Sequence, residues 1–316
     1  MQKSIFILFL FIQLIISGQD SVNLTGTKPQ SSFEFKWSND FEYQTDYYFT
    51  NGFAFEYFTP WAKQNPISSI LLPTDSNGFE LFSYTLTQDI FTPKEKFNVE
   101  GQLNGDRPFA AYLLLGFKKV TFTKASGVKA YSEIQIGILG PAAFGEEVQN
   151  GIHNNLPTSA QVVGWENQIS NSLMLNYSVS IEKILFHKNW FEFSGISSVK
   201  LGLPFTNAEL GVQTRFGLFD SLPKDFEFLS LYKWQFYLTL ATRGSLIGYN
   251  ATLQGGLFSK SVYTLSSINR FVGHANIGLT LIYKKFKLEY VQHFNTPEFP
   301  GAVYHSWGHL IIKVGF

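Results

Sequence analysis

Gln149 and His153 stand four residues apart in the segment Gly140-Pro141-Ala142-Ala143-Phe144-Gly145-Glu146-Glu147-Val148-Gln149-Asn150-Gly151-Ile152-His153. If a short helix starts near Ala142, the two side chains lie on one face, one turn apart. An imidazole beside an amide is suited to hydrolysis: the ring takes a proton from water, and the amide orients that water or donates to a developing oxyanion. The segment opens on Gly-Pro and lacks the period-two alternation of its surroundings, so it reads as a helix interrupting a sheet. A loop histidine is ordinarily a surface residue, and its meaning depends on what else the fold brings beside it.

The ends of the chain indicate where it works. Lys3 is the only charge before Asp20, and Ser4 to Ile16 is almost wholly apolar before the small pair Ser17-Gly18. That pattern reads as a secretory signal peptide over residues 1–18, leaving 19–316 as one exported domain. The apolar run is short for the ~20 residues of a membrane-spanning helix, and none of sufficient length follows. Zero net charge gives no electrostatic case for nucleic acid. The absence of cysteine rules out disulfides and thiolate sites. Aromatic residues make up 17% of the chain, with 33 Phe and 15 Tyr, a load that a lipid-facing surface accommodates more easily than a soluble core.

Alternation at period two fixes the class. Leu173, Leu175, Tyr177, Val179 and Ile181 oppose Met174, Asn176, Ser178, Ser180 and Glu182. Trp234, Phe236, Leu238 and Leu240 oppose Gln235, Tyr237, Thr239 and Ala241, and the chain ends with Leu310, Ile312, Val314 and Phe316 opposing Trp307, His309, Ile311 and Lys313. These runs exceed ordinary sandwich strands and suit tilted membrane-spanning ones. Tyr177, Trp190, Trp234, Tyr283 and Trp307 resemble interfacial girdles. The expected fold is all-β: a transmembrane antiparallel up-and-down β-barrel with a short helix in an extracellular loop. About twelve strands are expected, near 31–39, 49–60, 79–91, 108–122, 128–139, 171–186, 190–203, 207–219, 232–247, 269–283, 286–294 and 305–316. An even count puts both termini on the periplasmic side. The long connection Trp61–Asn77 then falls where turns are usually short, as an inserted excursion or a sign of a misplaced second strand. The first hairpin brings Asn39, Asp40 and Thr50 to the outer rim, where the segment with Gln149 and His153 also lies. Asp106-Arg107 reads as a rim salt bridge.

Six motifs in order carry a resemblance. Asn39-Asp40, Asp46-Tyr47-Tyr48-Phe49-Thr50-Asn51-Gly52, Gln88-Asp89-Ile90-Phe91-Thr92-Pro93, Gly105-Asp106-Arg107-Pro108-Phe109-Ala110-Ala111-Tyr112, Gly140-Pro141 with Glu147-Val148-Gln149-Asn150 and His153, and Gly164-Trp165-Glu166-Asn167-Gln168 resemble the outer-membrane lipid A 3′-O-deacylase family. The resemblance runs from about Asn39 to Gln168, more weakly to the end. It implies a twelve-stranded barrel in the cell outer membrane, with a site near the outer rim under a loop helix. The implied reaction is calcium-dependent hydrolysis of the 3′-linked acyloxyacyl chain of lipid A in lipopolysaccharide. His153 matches the family's catalytic histidine and Thr50 its active-site hydroxyl. Asn39 and Asp40 match its Asn-Asp pair, whose oxygens suit Ca²⁺, with Asp40 as the ligand expected here. Gln149 joins His153 as an expected catalytic residue. Two departures stand out. No acid occurs between His153 and Glu166, and the family's lysine has two candidates, Lys94 and Lys96. An outer-membrane phospholipase of broader specificity and an inactive, porin-like barrel are the alternatives. The sequence leaves the oligomeric state open.

Overall fold

The computed structural model describes residues 31–40, 47–74, 78–94, 105–154, 162–220, 232–257, 260–261 and 263–316, with 226, 228 and 230. The proposed signal peptide, Asn77 and Lys96 lie outside them.

Twelve antiparallel strands close into a barrel: β1 (Ser32–Asn39), β2 (Tyr48–Phe58), β3 (Phe79–Thr92), β4 (Ala110–Thr123), β5 (Val128–Leu139), β6 (Ser172–Lys188), β7 (Phe191–Gly202), β8 (Phe205–Leu218), β9 (Trp234–Asn250), β10 (Phe271–Tyr283), β11 (Phe286–Asn295) and β12 (His305–Gly315). Each pairs with its sequence neighbour, and β1 pairs with β12, Ser32 opposite Gly315. Closure leaves no edge strand, so the ladder is completed within the chain, as a lipid environment demands. Helices α1 (Gly145–Asn154) and α2 (Ala251–Gln254) both lie at the end opposite the termini, the outer end by the topology argument.

Alternation sorts side chains between wall and lumen. Leu173, Leu175, Leu201, Leu210, Ile277 and Leu279 are exposed on the outside. Inside, charged residues pair: Lys118 Nζ with Glu56 Oε1 at 2.9 Å, Lys287 with Glu289 at 3.0 Å, and Arg215 Nε with Glu192 Oε1 at 2.9 Å. Burial of such groups is tolerable only with partners of this kind. At the outer end Tyr48, Leu253, Leu265, Ile268 and Phe299 form an apolar cluster, and at the inner end Phe58, Leu81, Val120, Phe122 and Phe226 form another. Two lumenal cavities of ≈ 330 and ≈ 290 Å³ lie along the barrel interior.

Three expectations are refined. Trp307 belongs to no girdle: it faces the lumen, stacked with His305 and His293 at 5.4 and 5.2 Å between ring centroids. Its parity with His309 and Lys313 on β12 requires this, because those residues share the lumenal face. Arg107 is fully buried and pairs with Glu298 at 3.3 Å rather than with Asp106. Asp106 instead caps its turn, accepting from the Lys94 and Arg107 amides at 2.6 and 2.8 Å. The connection after β2 is an excursion rather than a misplaced strand, with 3-10 turns at Pro60–Gln64 and Pro66–Ile70.

Candidate active site

Asn39 and Thr50 lie at the outer rim of β1 and β2, and Gln149 and His153 on α1, which packs on the lipid side of β3–β5; Asp40 follows β1 and is turned to Tyr47. Asn39 shares its face of β1 with exposed Trp37 and Phe33, and it stands opposite Asn51 of β2. Its Nδ2 donates to the Thr50 carbonyl oxygen at 3.0 Å. Thr50 is the extra residue of a β-bulge, since the β2–β3 register shifts between Phe49 and Asn51. Bulges redirect side chains at sheet rims and beside active sites. Preceding it, Tyr48 holds φ 62°, the left-handed region that a bulky residue adopts only when held there by its surroundings. Burial against Phe299 and His305 supplies that hold. The Thr50 hydroxyl, 2% exposed, donates to the Ile90 carbonyl oxygen at 3.2 Å.

Ile90, Phe109, Ala111, Ala143, Val162 and Trp165 form the apolar seat on which α1 rests, with Leu113, Ile138 and Val148 packed against it. Gly145 permits the approach: a Cβ there would lie 2.4 Å from Ala111 Cβ and 2.9 Å from the Trp165 ring. Gln88 Nε2 donates to the Ala143 carbonyl oxygen at 2.6 Å, tying β3 to the turn before the helix. The Val162 amide donates to Asn150 Oδ1 at 3.1 Å, tying this part of the chain to α1.

Gln149 is buried, and its Oε1 accepts from Trp165 Nε1 at 2.9 Å. An indole nitrogen can only donate, so this bond fixes the amide's orientation. The Gln149 Nε2 is left as a buried donor with no hydrogen-bond partner. His153 is half-exposed one turn further along, in the last turn of α1. Asp40, 2% exposed, accepts the Tyr47 amide at Oδ2 at 3.0 Å. Burial, and then the Asp40 carboxylate, push the Tyr47 phenol above its ordinary value.

A continuous path of contacts therefore joins Asn39 to Thr50, Thr50 to Ile90, and the Ile90 seat to Trp165 and Gln149. Glu166 is brought near α1 by its neighbour Trp165 but stands exposed. The motifs contain Gln88 and Trp165, yet sequence reasoning does not place either in the site. Period-two parity marks Gln88 as a wall residue like Asn39, whereas nothing local announces that Trp165 returns to α1. Among the described residues no group of three or more His, Asp or Glu could by itself hold a metal. Asp40 nonetheless fits Ca²⁺ in kind: its buried carboxylate is a hard donor of the sort that such an ion combines with backbone carbonyls and water.

The family model described as "Outer membrane protein LpxR" matches residues 5–316. The chain belongs to the LpxR family. Among solved structures, LpxR from Salmonella typhimurium is similar over 90% of this chain and 100% of that one, with a TM-score of 0.72 and 20% identity. The β domain of the Bordetella autotransporter BrkA is 9% identical, covering 91% of this chain and 99% of that one with a TM-score of 0.45. No curated protein sequence matches the chain. LpxR family membership and the closed barrel make this an outer-membrane protein, and the family supports a function in lipid A remodelling.

Below the site the wall is aromatic. Below Asn39 and Asn51 the outward residues of β1 (Phe33, Phe35, Trp37) and of β2 (Phe53, Phe55, Tyr57) are rings. Phe35 lies 5.2 Å from Phe55 and 6.3 Å from Phe53, centroid to centroid. Exposed outward positions on β6, β7 and β8 include Leu173, Leu175, Leu201, Leu210 and Val212 instead.

Proposed function

We propose that the protein hydrolyses the ester of the 3′-linked acyloxyacyl chain of lipid A in the outer leaflet. The observation that carries this reading is the position of the polar rim on the lipid side of the wall, roofed by α1. A lipid ester at headgroup depth reaches such a site from within its own leaflet, its acyl chain passing down the aromatic stripe of β1 and β2.

His153 takes a proton from water, and the water oxygen attacks the ester carbonyl carbon. The resulting tetrahedral oxyanion needs a donor, and Gln149 Nε2 is a buried amide donor otherwise unmatched; donors of this kind contribute about 10²–10³ in rate. Collapse breaks the carbon–oxygen bond, and the proton returns from the imidazolium to the departing sugar alkoxide. The products are the free acyloxyacyl acid and a 3′ hydroxyl. Thr50 positions and does not attack: its proton is directed at the Ile90 carbonyl oxygen, not at a base. Asn39 holds the bulge that presents Thr50. Asp40, with backbone carbonyls and water, would hold Ca²⁺, whose positive charge would polarise the ester carbonyl.

The test is lipid A mass spectrometry on isolated outer membranes containing the protein, with and without calcium chelation. Loss of the 3′ acyloxyacyl mass, abolished by chelation and by His153→Ala, is expected. Unchanged lipid A with released phospholipid fatty acids would instead identify a phospholipase.

A further inference from the structure

The excursion between β2 and β3 has no part in that site. It lies at the opposite end of the barrel, and it packs on the outside of the wall. Ala62 and Leu71 are buried against Phe82 of β3 and Phe117 of β4, flanked by Tyr84, Ile134 and Tyr177. These are wall-side positions, in register with exposed Leu86 and Leu115 on the same strands. The segment is pinned across four strands. The Thr59 amide donates to the Phe82 carbonyl oxygen at 2.9 Å, the Leu72 amide to Ser132 Oγ of β5 at 2.9 Å, and the Tyr177 hydroxyl of β6 to the Ile70 carbonyl oxygen at 2.9 Å. Lys63 pairs with Glu80, whose other oxygen lies 3.5 Å from Lys119. At ~4.8 Å between strands, the segment spans roughly 14 Å of the circumference.

Its outward face remains apolar. Trp61, Ile67 and Ile70 are 57%, 40% and 53% exposed, and the Trp61 ring rests against Tyr84 at 5.7 Å. Directly above, in the direction of the outer rim, the wall continues as Leu86, Leu115, Ile136 and Leu175, all exposed. The apolar face of the segment is therefore continuous with the belt that meets lipid. The Lys63–Glu80–Lys119 group marks the level at which charge resumes. Tryptophan, isoleucine and lysine sharing one short amphipathic segment at this level is the composition of a membrane interface.

We propose that residues 60–72 form a collar seated in the inner, phospholipid leaflet, with Trp61, Ile67 and Ile70 inserted at the headgroup–acyl boundary. The collar covers backbone and polar side chains of β3–β6 where that wall leaves the hydrocarbon, and it offers phospholipid a rigid apolar ledge. The proposal rests on the barrel's place in the outer membrane and not on the deacylase reading.

The absence of cysteine makes the test direct. Single variants Ile67→Cys and Ile70→Cys carry a nitroxide label in the full-length protein in phosphatidylethanolamine–phosphatidylglycerol vesicles. Leu115→Cys serves as the lipid reference and Ser126→Cys, in the β4–β5 turn, as the aqueous one. Power saturation with oxygen and with a nickel chelate then reports depth. The expected result is a shift of the oxygen-to-nickel accessibility ratio at 67 and 70 away from the Ser126 value and towards the Leu115 value. A ratio equal to that at Ser126 overturns the proposal, because the face is then in water. Labels shielded from both reagents also overturn it, because the face is then covered by protein.

Discussion

Replacement of Gly145 by alanine isolates the contribution of α1 to catalysis. The new methyl would stand 2.4 Å from Ala111 Cβ and 2.9 Å from the Trp165 ring, whereas carbon atoms rest about 3.5–4.0 Å apart. Ala111 belongs to a wall strand with hydrogen-bonded neighbours on both sides, so the helix gives way, by about 1.5 Å at this end. Gln149, one turn later, moves with it relative to Thr50 and Asn39. A misplacement of about 1 Å costs on the order of 10²-fold in rate, and a fall of about 10²-fold in deacylation is the expectation. The barrel ladder does not include α1, so heat-modifiable gel mobility stays unchanged. Gly151 provides the control within the same helix: nothing lies within 4 Å of the point where its methyl would stand, and alanine there favours the helix by about 1 kcal/mol. Gly151→Ala keeps full activity in the same mass-spectrometric assay. Full activity in Gly145→Ala with native mobility would refute the reasoning, since the seat would then have no bearing on the chemistry.

Trp165→Phe removes the donor that fixes Gln149, leaving a buried oxygen unmatched at a cost of about 1–3 kcal/mol; kcat falls while the wall retains its fold, as circular dichroism in detergent will show. Thr50→Val lowers activity without an acyl-enzyme, and detection of acylated Thr50 by peptide mass spectrometry would reverse its assigned role. Asp40→Asn weakens the calcium dependence, measured as the calcium concentration giving half-maximal activity. Burial depresses the Arg107 guanidinium from its ordinary value and Glu298 opposes that effect; Arg107→Ala removes the pair to the partly exposed Glu298 and a buried bond to Thr252, and a loss of about 1–3 kcal/mol follows, read as earlier urea unfolding.

Alternation made the barrel legible, because one face of each strand meets lipid and the other a polar lumen. Leu173 and Met174 differ in exposure as their parity requires, at 80% and 1%. Strand ends were legible to a few residues where a glycine or a polar pair intervened, as at Gly127 and Lys284-Lys285. Trp307 was misassigned because girdle reasoning uses residue type and height, whereas parity alone decides which side a ring faces. The placement of the candidate residues was legible in part, and their bonds were not. Asn39 and Thr50 sit eleven positions apart on adjoining strands, so topology brings them to one rim. The bulge that displaces Thr50 leaves no mark in the residue pattern. Trp165 reaches Gln149 across sixteen positions, a tertiary contact that local spacing does not encode. The collar was visible as an anomaly of length, but its seat on the outer wall depends on Phe82 and Phe117, which are ordinary wall residues in sequence.

The location of the rim residues on the outside of the wall has a kinetic consequence. A lumenal site would have to extract its lipid from the bilayer before acting on it. On the proposed reading the substrate would arrive by lateral diffusion, so the variable that governs saturation would be its mole fraction in the leaflet, not its amount in the bulk. Diluting the target lipid with inert amphiphile should slow turnover even when total lipid and protein are held constant. The acid that the proposed hydrolysis releases would remain among neighbouring chains and compete for the same stretch of wall until it diffused away.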